Sequence, residues 1–361
     1  GDGISQPYNA DFTDNYIHEL GDVKNPVTAN SKFVFAPRLG ISHPITDHSK
    51  LYFNYGRYYQ RPQLNYLFRN RGFNLGGGFP IIGNPDLNPE LTVSYEVGVQ
   101  NEVSRGMIVE LKGFYKDIYG LTDTRPVYWT VNDWYTTYEN RDYGNVRGAE
   151  FIFAVRPPGM FYGQVNYTYT IAKGKSSSVG QGYLTNWAGG IVPTFESYLD
   201  WDQTHTFNAD VNFSYRGFLA TMVLSGGSGT RYTEPGQGRL IVENTLRLPG
   251  HIESDVKLNY MFRLGTINAN LFMTVTNLFD RKNIRYVDDV EWYHQYKTIN
   301  DKYDNGDLTR EEWLSFVDPD EFNDTDGIPN ENKIHPEMGK NLNPAVYGDS
   351  RRFRIGVTFD F

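Results

Sequence analysis

The last ten residues constrain the fold most, because apolar and polar side chains alternate strictly there. Phe353, Ile355, Val357, Phe359 and Phe361 fall on one face of an extended chain, and the residues between them are mostly polar. A period of two is the geometry of a β-strand. Comparable alternation recurs upstream and predicts about eleven strands in all. The other ten lie at 33–42, 51–59, 92–101, 107–117, 147–155, 161–171, 206–215, 218–225, 252–262 and 267–278.

The composition distinguishes between a membrane protein that crosses with helices and one that crosses with β-strands. The chain has 27 Tyr and 23 Phe, yet its mean hydropathy is -0.54, and no apolar run approaches the roughly 18 residues that a spanning helix needs. A barrel strand needs only about 9 to 11 residues, of which every second one is apolar. With no cysteine in the chain, thiolate metal sites are excluded. The composition therefore fits a transmembrane antiparallel β-barrel.

The connections between predicted strands alternate between short and long. Tight turns are predicted near 44–50, 104–106, 157–159, 217 and 265, whereas 61–89, 119–145, 173–204, 227–250 and 280–350 are long. A soluble β-sandwich, the alternative fold, does not maintain this asymmetry, but outer-membrane barrels do, with short periplasmic turns and long extracellular loops. The last strand is then expected to run towards the periplasm, and so is the first. Because complete bacterial barrels have an even strand number, we expect this chain to be part of a larger barrel.

Five features, in the family's order along the chain, resemble the C-terminal barrel region of TonB-dependent receptors. The first is Gly-Asn-Pro-Asp-Leu-Asn-Pro-Glu at 83–90 followed by Ser-Tyr-Glu-Val-Gly at 94–98. The next are Asn-Val-Arg-Gly-Ala-Glu at 145–150, Asp-Gln-Thr-His at 202–205 and Thr-Asn-Leu-Phe-Asp at 276–280. The terminal Phe361 resembles the family's outer-membrane assembly signal. From the residues themselves, structural roles are expected for Asn84, Gly148, Asn277 and Asp280: shaping loops, removing bulk and satisfying backbone groups.

The resemblance implies an all-β, 22-stranded plugged barrel of which this chain is the C-terminal half, with residues 1–31 as an extracellular loop remnant and 32–361 as barrel. It also implies active uptake of a scarce nutrient such as a siderophore, vitamin, oligosaccharide or peptide. The implied partners are outer-membrane lipid, the N-terminal half of the barrel with its plug, a TonB-type energy-transducing complex and a surface lipoprotein. A passive porin-like channel and a surface adhesin or partner-docking barrel remain alternative functions.

The loop at 280–350 is strongly acidic, with 17 Asp or Glu and 8 Lys or Arg. Within it, residues 301–312 resemble an EF-hand calcium loop, with Gly306 at the sixth position that makes the sharp turn. Tyr303 departs from the pattern at the third position, where an oxygen ligand is expected. The alternative is an acidic, solvated segment without metal. The predicted calcium ligands are Asp301, Asn305, Asp307 and Glu312.

Aromatic residues in the loop at 119–145 are the candidates for substrate contact, namely Trp129, Trp134 and Tyr135. Large rigid rings supply contact area at low entropic cost, but the same residues would also suit the outer aromatic girdle of a barrel. No nucleophile elbow, zinc-binding His-Glu-x-x-His or phosphate-binding glycine loop occurs in the chain, so no enzyme is predicted. The net charge of -9 disfavours nucleic-acid binding.

Overall fold

The computed structural model describes most of the chain. The described residues are 29–70, 81–128, 134–156, 159–187, 195–234, 243–287, 290–310 and 345–360, with the short pairs 17–18, 22–23, 334–335 and 340–341. The chain divides into two compact units, one formed by residues 1–157 and 164–206 and the other by 158–163 and 207–361. Among the described residues, no helix combines the length and apolar character required to cross a membrane.

The first unit is an antiparallel sheet whose strands follow one another in chain order. Its last strand begins in residues that belong to the second unit. Two short helices, α1 (Leu64–Phe68) and α2 (Gln181–Trp187), lie in the long connections. The short strand Ile81–Ile82 pairs in parallel with Trp134–Val155, and Ser197–Tyr198 pairs with Phe161–Gly174. The long strands are β1 (Arg38–Thr46), β2 (Ser49–Gln60), β3 (Glu90–Ser104), β4 (Met107–Tyr128), β5 (Trp134–Val155) and β6 (Phe161–Gly174).

The second unit is also an antiparallel sheet in chain order. Its acidic connection contains the helix α3 (Val290–Asp304) and a ribbon formed by Ile284–Val287 and Ala345–Tyr347. A second ribbon pairs Arg231–Tyr232 with Leu246–Arg247. The long strands are β7 (His205–Tyr215), β8 (Phe218–Gly227), β9 (His251–Leu264), β10 (Ile267–Thr276) and β11 (Arg352–Asp360). The described residues thus contain eleven long strands, which confirms the predicted number.

Two predicted boundaries were wrong. The segment 119–145 was predicted to be a loop, but pairing between β4 and β5 continues from Met107 opposite Val155 to Tyr128 opposite Trp134. Alternation disappears there because, beyond the bilayer, neither face has to be apolar, whereas β-branched threonines still favour a strand. The first strand begins at Arg38 instead of residue 33, and its turn is confined to residues 47–48.

The two faces of each sheet differ in character. Val97, Leu111 and Phe151 are exposed on one face of the first sheet. In the second sheet, Ile355 and Val357 are exposed on the face that also carries Leu271 and Met273. Contiguous exposed apolar surface of this extent marks contact with an apolar environment. Phe353 and Phe359, on the same predicted apolar face of β11, are exposed as well, and Phe361 lies outside the described residues.

The opposite face of the first sheet is polar and depends on one glycine. Gly98 lies opposite Tyr52, and a Cβ at Gly98 would lie 2.4 Å from the Tyr52 ring. The missing side chain therefore makes room for the ring. The Tyr52 hydroxyl donates a hydrogen bond of 2.6 Å to Glu110 Oε1, and Gln100 Nε2 donates to Glu110 Oε2 at 3.0 Å. This network keeps the carboxylate paired on an otherwise open surface.

Candidate functional site

The outer half of the β4–β5 hairpin is covered by the segment that carries the first family-like motif. Asn84 is 5% exposed, and its amide donates to the backbone carbonyl of Tyr138 at 2.9 Å. Thr137 Oγ1 donates to the carbonyl of Ile82 at 3.2 Å. Arg69 Nη1 donates to the Tyr138 hydroxyl at 3.1 Å. The predicted structural role of Asn84 is confirmed, because its side chain ties the segment to the hairpin.

Two carboxylates are buried at the same level of the hairpin. Because β4 begins at Met107, a bilayer crossing of about 9 to 11 residues ends before Asp123. Asp123 accepts the backbone N–H of Gly182 in α2 at 3.3 Å. Asp142 forms an ion pair with Lys175 at 3.2 Å. Burial, together with the negative charge of Asp142, raises the pKa of Asp123 to about 6.

A cavity of about 180 Å³ lies beside these groups. The end of β2, the start of β3 and the middle of β4 form one side of it, and the segments that follow β2 and β6 form the others. Thr122, which is 3% exposed, donates its backbone N–H to Glu90 Oε1 at 2.9 Å. The Thr122 hydroxyl has no hydrogen-bond partner among the described residues. This unsatisfied hydroxyl is buried in the protein and has almost no surface that is accessible from the cavity.

A larger cavity, of about 500 Å³, lies in the second unit at the ends of β9, β10 and β11. Thr274 lies opposite Arg354 and Thr276 opposite Arg352 in the β10–β11 register. Arg352 is ion-paired with Asp349. The cavity lining includes three cations and three anions, so its charges balance: Arg285, Arg352, Arg354, Glu253, Asp255 and Asp349.

The Thr-Asn-Leu-Phe-Asp motif closes the outer end of β10. Asn277 has a φ of 50°, and its amide donates to the carbonyls of Arg281 and Asp349 at 3.1 and 2.9 Å. Asp280 accepts the backbone N–H of Arg351 at 2.8 Å. The prediction that Asn277 and Asp280 satisfy backbone groups where strand pairing ends is confirmed.

The three aromatic substrate candidates do not form a described cluster. Trp129 lies outside the described residues. Trp134 is the first residue of β5 and pairs with Tyr128. Tyr135 is 0% exposed, so it packs inside the hairpin in this structure. A role for the three residues in substrate contact stays a prediction.

The predicted calcium loop is described only in its first part. Asp301 lies in the last turn of α3 and pairs with Lys297 at 2.5 Å. Gly306 has a φ of 80°. The N–H of Gly306 donates to the Tyr303 carbonyl at 3.0 Å, and that of Asp307 donates to the Lys302 carbonyl at 2.8 Å. These two bonds form a helix-ending motif that itself requires glycine.

The other two predicted calcium ligands of this loop are Asn305 and Glu312. Asn305 follows α3 directly and donates its backbone N–H to the Asp301 carbonyl at 3.1 Å. Glu312 lies outside the described residues. Within the described part of the chain, no group of three or more His, Cys, Asp or Glu is arranged to hold a metal ion. Calcium binding by the full loop stays a prediction.

Comparison with known proteins gives matches in sequence and in structure. Residues 7–278 match the family model described as TonB dependent receptor-like, beta-barrel. The iron-regulated outer membrane virulence protein of Vibrio cholerae serotype O1 is 24% identical over 234 residues, which cover 62% of this chain and 32% of that protein. The same values hold for the protein of a second strain of the same serotype. The chain thus spans about a third of the length of these curated relatives.

Two solved structures share the fold at low sequence identity. The outer membrane transporter YddB from Escherichia coli gives a TM-score of 0.51 at 14% identity, covering 66% of this chain and 35% of that one. FpvA of P. aeruginosa bound to heterologous pyoverdines gives a TM-score of 0.51 at 11% identity, covering 90% and 32%. Both likenesses concern the fold.

Proposed function

Since the chain belongs to the TonB-dependent receptor-like β-barrel family, we propose that the full-length protein actively imports a scarce nutrient across the outer membrane. The all-β barrel fold and the outer-membrane location follow from that membership. The observation that carries the proposal is the family match over residues 7–278 of the 361. The exposed apolar faces suit lipid contact, and the polar faces suit a hydrated interior.

The proposal extends to the parts of the protein outside this chain. The eleven strands would form the C-terminal half of a 22-stranded barrel, with residues 1–31 in an outer loop. Outer-membrane lipid would surround the barrel, and a TonB-type complex would act through a plug carried by the rest of the protein. Because the family comprises transport receptors, no enzymatic step is part of the proposal.

The substrate class we propose is an iron chelate. The curated relatives are named as iron-regulated proteins, which supports a link to iron supply. The cavity of about 500 Å³ in the second unit lies in the usual range for small-molecule sites. Arg352 and Arg354 line it, and arginine recognises carboxylates and other planar anionic groups through paired hydrogen bonds.

We also propose that the loop at 301–312 binds calcium. Its support is the spacing of oxygen-bearing residues, with Asp301, Asn305 and Glu312 as side-chain ligands and Asp307 contributing its backbone carbonyl. The ion would have a structural role there and no role in transport chemistry.

The test is uptake of radioactive iron by cells that express the full-length protein, with and without a functional TonB-type complex. Active import predicts uptake that requires the complex and falls at least about tenfold in an Arg352→Gln, Arg354→Gln variant. Arg263→Gln is the matched control, because Arg263 is exposed beside the β9–β10 turn and donates to Gly265.

The alternatives give different results in the same assay. A passive porin-like channel would give uptake that does not depend on the complex. An adhesin or docking barrel would give no uptake but would retain binding to a surface partner such as a lipoprotein. Either outcome would contradict active import.

A further inference from the structure

The cavity of about 180 Å³ in the first unit has a carboxylate on one side. Glu90 lines it and uses Oε1 to accept the backbone N–H of Thr122 at 2.9 Å, so Oε2 is available to a ligand. Glu90 therefore forms a hydrogen-bond-accepting side of the cavity.

Further polar groups surround the cavity on its other sides. Gln60, Gln63 and Ser178 line it and are exposed. Arg61 lines it as well, so the lining carries one cation and one anion, Arg61 and Glu90. With one charge of each sign, the lining carries no net charge that would exclude a neutral ligand. Polar groups distributed around the cavity suit a ligand that carries hydroxyls at several positions.

The cavity also has apolar walls. Trp201 lines it and is 47% exposed, which leaves much of its indole free for contact. Tyr66 and Pro62 line another part and are half-buried. Flat apolar side chains next to hydrogen-bonding groups suit a ring that has both C–H faces and hydroxyl edges. The volume is well below the roughly 300 to 1,000 Å³ of sites for drug-sized molecules, so it suits a single ring.

We propose that this cavity is a binding site for a neutral, polyhydroxylated six-membered ring of monosaccharide size. Glu90 binds a hydroxyl at the inner end, Gln60 and Ser178 bind hydroxyls near the opening, and Trp201 contacts a C–H face. A catechol ring has only two hydroxyls and would leave most of these polar groups without a partner. The site does not require that the ring belong to the imported substrate.

The experiment measures binding to the purified full-length receptor in detergent. Glucose, galactose and N-acetylglucosamine are the probes, followed by tryptophan fluorescence and by saturation-transfer NMR. At least one sugar is expected to bind saturably in the millimolar range, which is usual for a single small ring. No transport is involved, so failure of this proposal is distinguishable from failure of the proposed import.

Three substitutions locate the site. Gln60→Ala removes one of the polar groups that bind hydroxyls near the opening, and Trp201→Ala removes the apolar wall. Each is expected to weaken sugar binding by about tenfold or more. Phe195→Ala is the matched control, because Phe195 is an exposed aromatic residue of the same connection that does not line the cavity. It is expected to leave binding unchanged.

Several outcomes would overturn the proposal. One is the absence of saturable binding of all three sugars, and another is tighter binding of 2,3-dihydroxybenzoate than of any sugar. A third is sugar binding that Gln60→Ala leaves unchanged. Heat-modifiable migration on gels checks that each variant is folded. If Trp201→Ala does not fold, Trp201→Phe, which reduces the wall and keeps an aromatic ring, provides the second measurement.

Discussion

The buried carboxylate of Asp123 predicts a pH-dependent stability of the outer segment that contains α2. Its pKa is raised from 3.8 to about 6, first by burial and then by the charge of Asp142. One pKa unit corresponds to about 1.4 kcal/mol, so the shift is worth on the order of 3 kcal/mol. The pKa of Asp123 is higher in the folded protein than in the unfolded chain. This stabilisation is therefore fully present below the ordinary pKa of 3.8 and is lost as the pH rises through about 6. The cations Lys175 and Arg141, which face Asp142, do not reverse the upward shift of the Asp123 pKa.

Asp123→Asn removes the ionisation and keeps a side-chain oxygen for the Gly182 N–H. The variant should make the opening free energy of residues 175–187 nearly independent of pH, and at about pH 8 it should exceed the wild-type value by up to about 3 kcal/mol. Hydrogen exchange with mass spectrometry on the full-length receptor, corrected for intrinsic exchange rates, measures this quantity. Asp47→Asn in the β1–β2 turn is the control. The reasoning is refuted if wild type shows no decrease between about pH 5 and pH 8, or if Asp123→Asn keeps the wild-type slope.

Three further predictions concern other parts of the chain. Val357→Arg on the apolar face of β11 should lower stability by about 2 to 4 kcal/mol in denaturant titrations in lipid vesicles, whereas Thr358→Arg on the polar face should cost less. Gly148→Ala should cost about 1 to 3 kcal/mol in the same titrations, because its Cβ would lie 2.0 Å from the Tyr169 carbonyl oxygen; an unchanged midpoint would contradict this. Calorimetry should detect calcium binding to the full-length receptor that Glu312→Gln weakens at least about tenfold, and equal heats for both proteins would contradict the calcium site.

The strands could be predicted from the sequence wherever an apolar environment acts on one face. Alternation located β11 to within one residue, because lipid and water impose opposite requirements on neighbouring positions there. The same reasoning failed for the outer parts of β4 and β5, where both faces are polar or covered by protein. A signal was nevertheless present in the pairs Thr122 and Thr124, and Thr136 and Thr137, since β-branched residues favour strands.

The cavities could not be predicted, because they depend on residues that only the fold brings together. Thr122 in β4 and Trp201 before β7 line one cavity although about eighty residues separate them. The burial of Asp123 and Asp142 likewise depends on the packing of α2 and its neighbours over the hairpin. Local patterns did identify the residues that close loops, since Asn277 and Asp280 bond within their own connection.

The length of the β4–β5 hairpin has a consequence for ligand recognition. Each strand has 22 residues, which is about 70 Å of extended chain and about twice what a bilayer crossing requires. Ordering a backbone costs about 1 to 2 kcal/mol per residue, and strand pairing has already met that cost before any ligand arrives. A ligand that contacts this hairpin therefore meets a preorganised surface. Substitutions within the hairpin should therefore have a larger effect on the amount of folded receptor than on the ligand affinity of the molecules that fold.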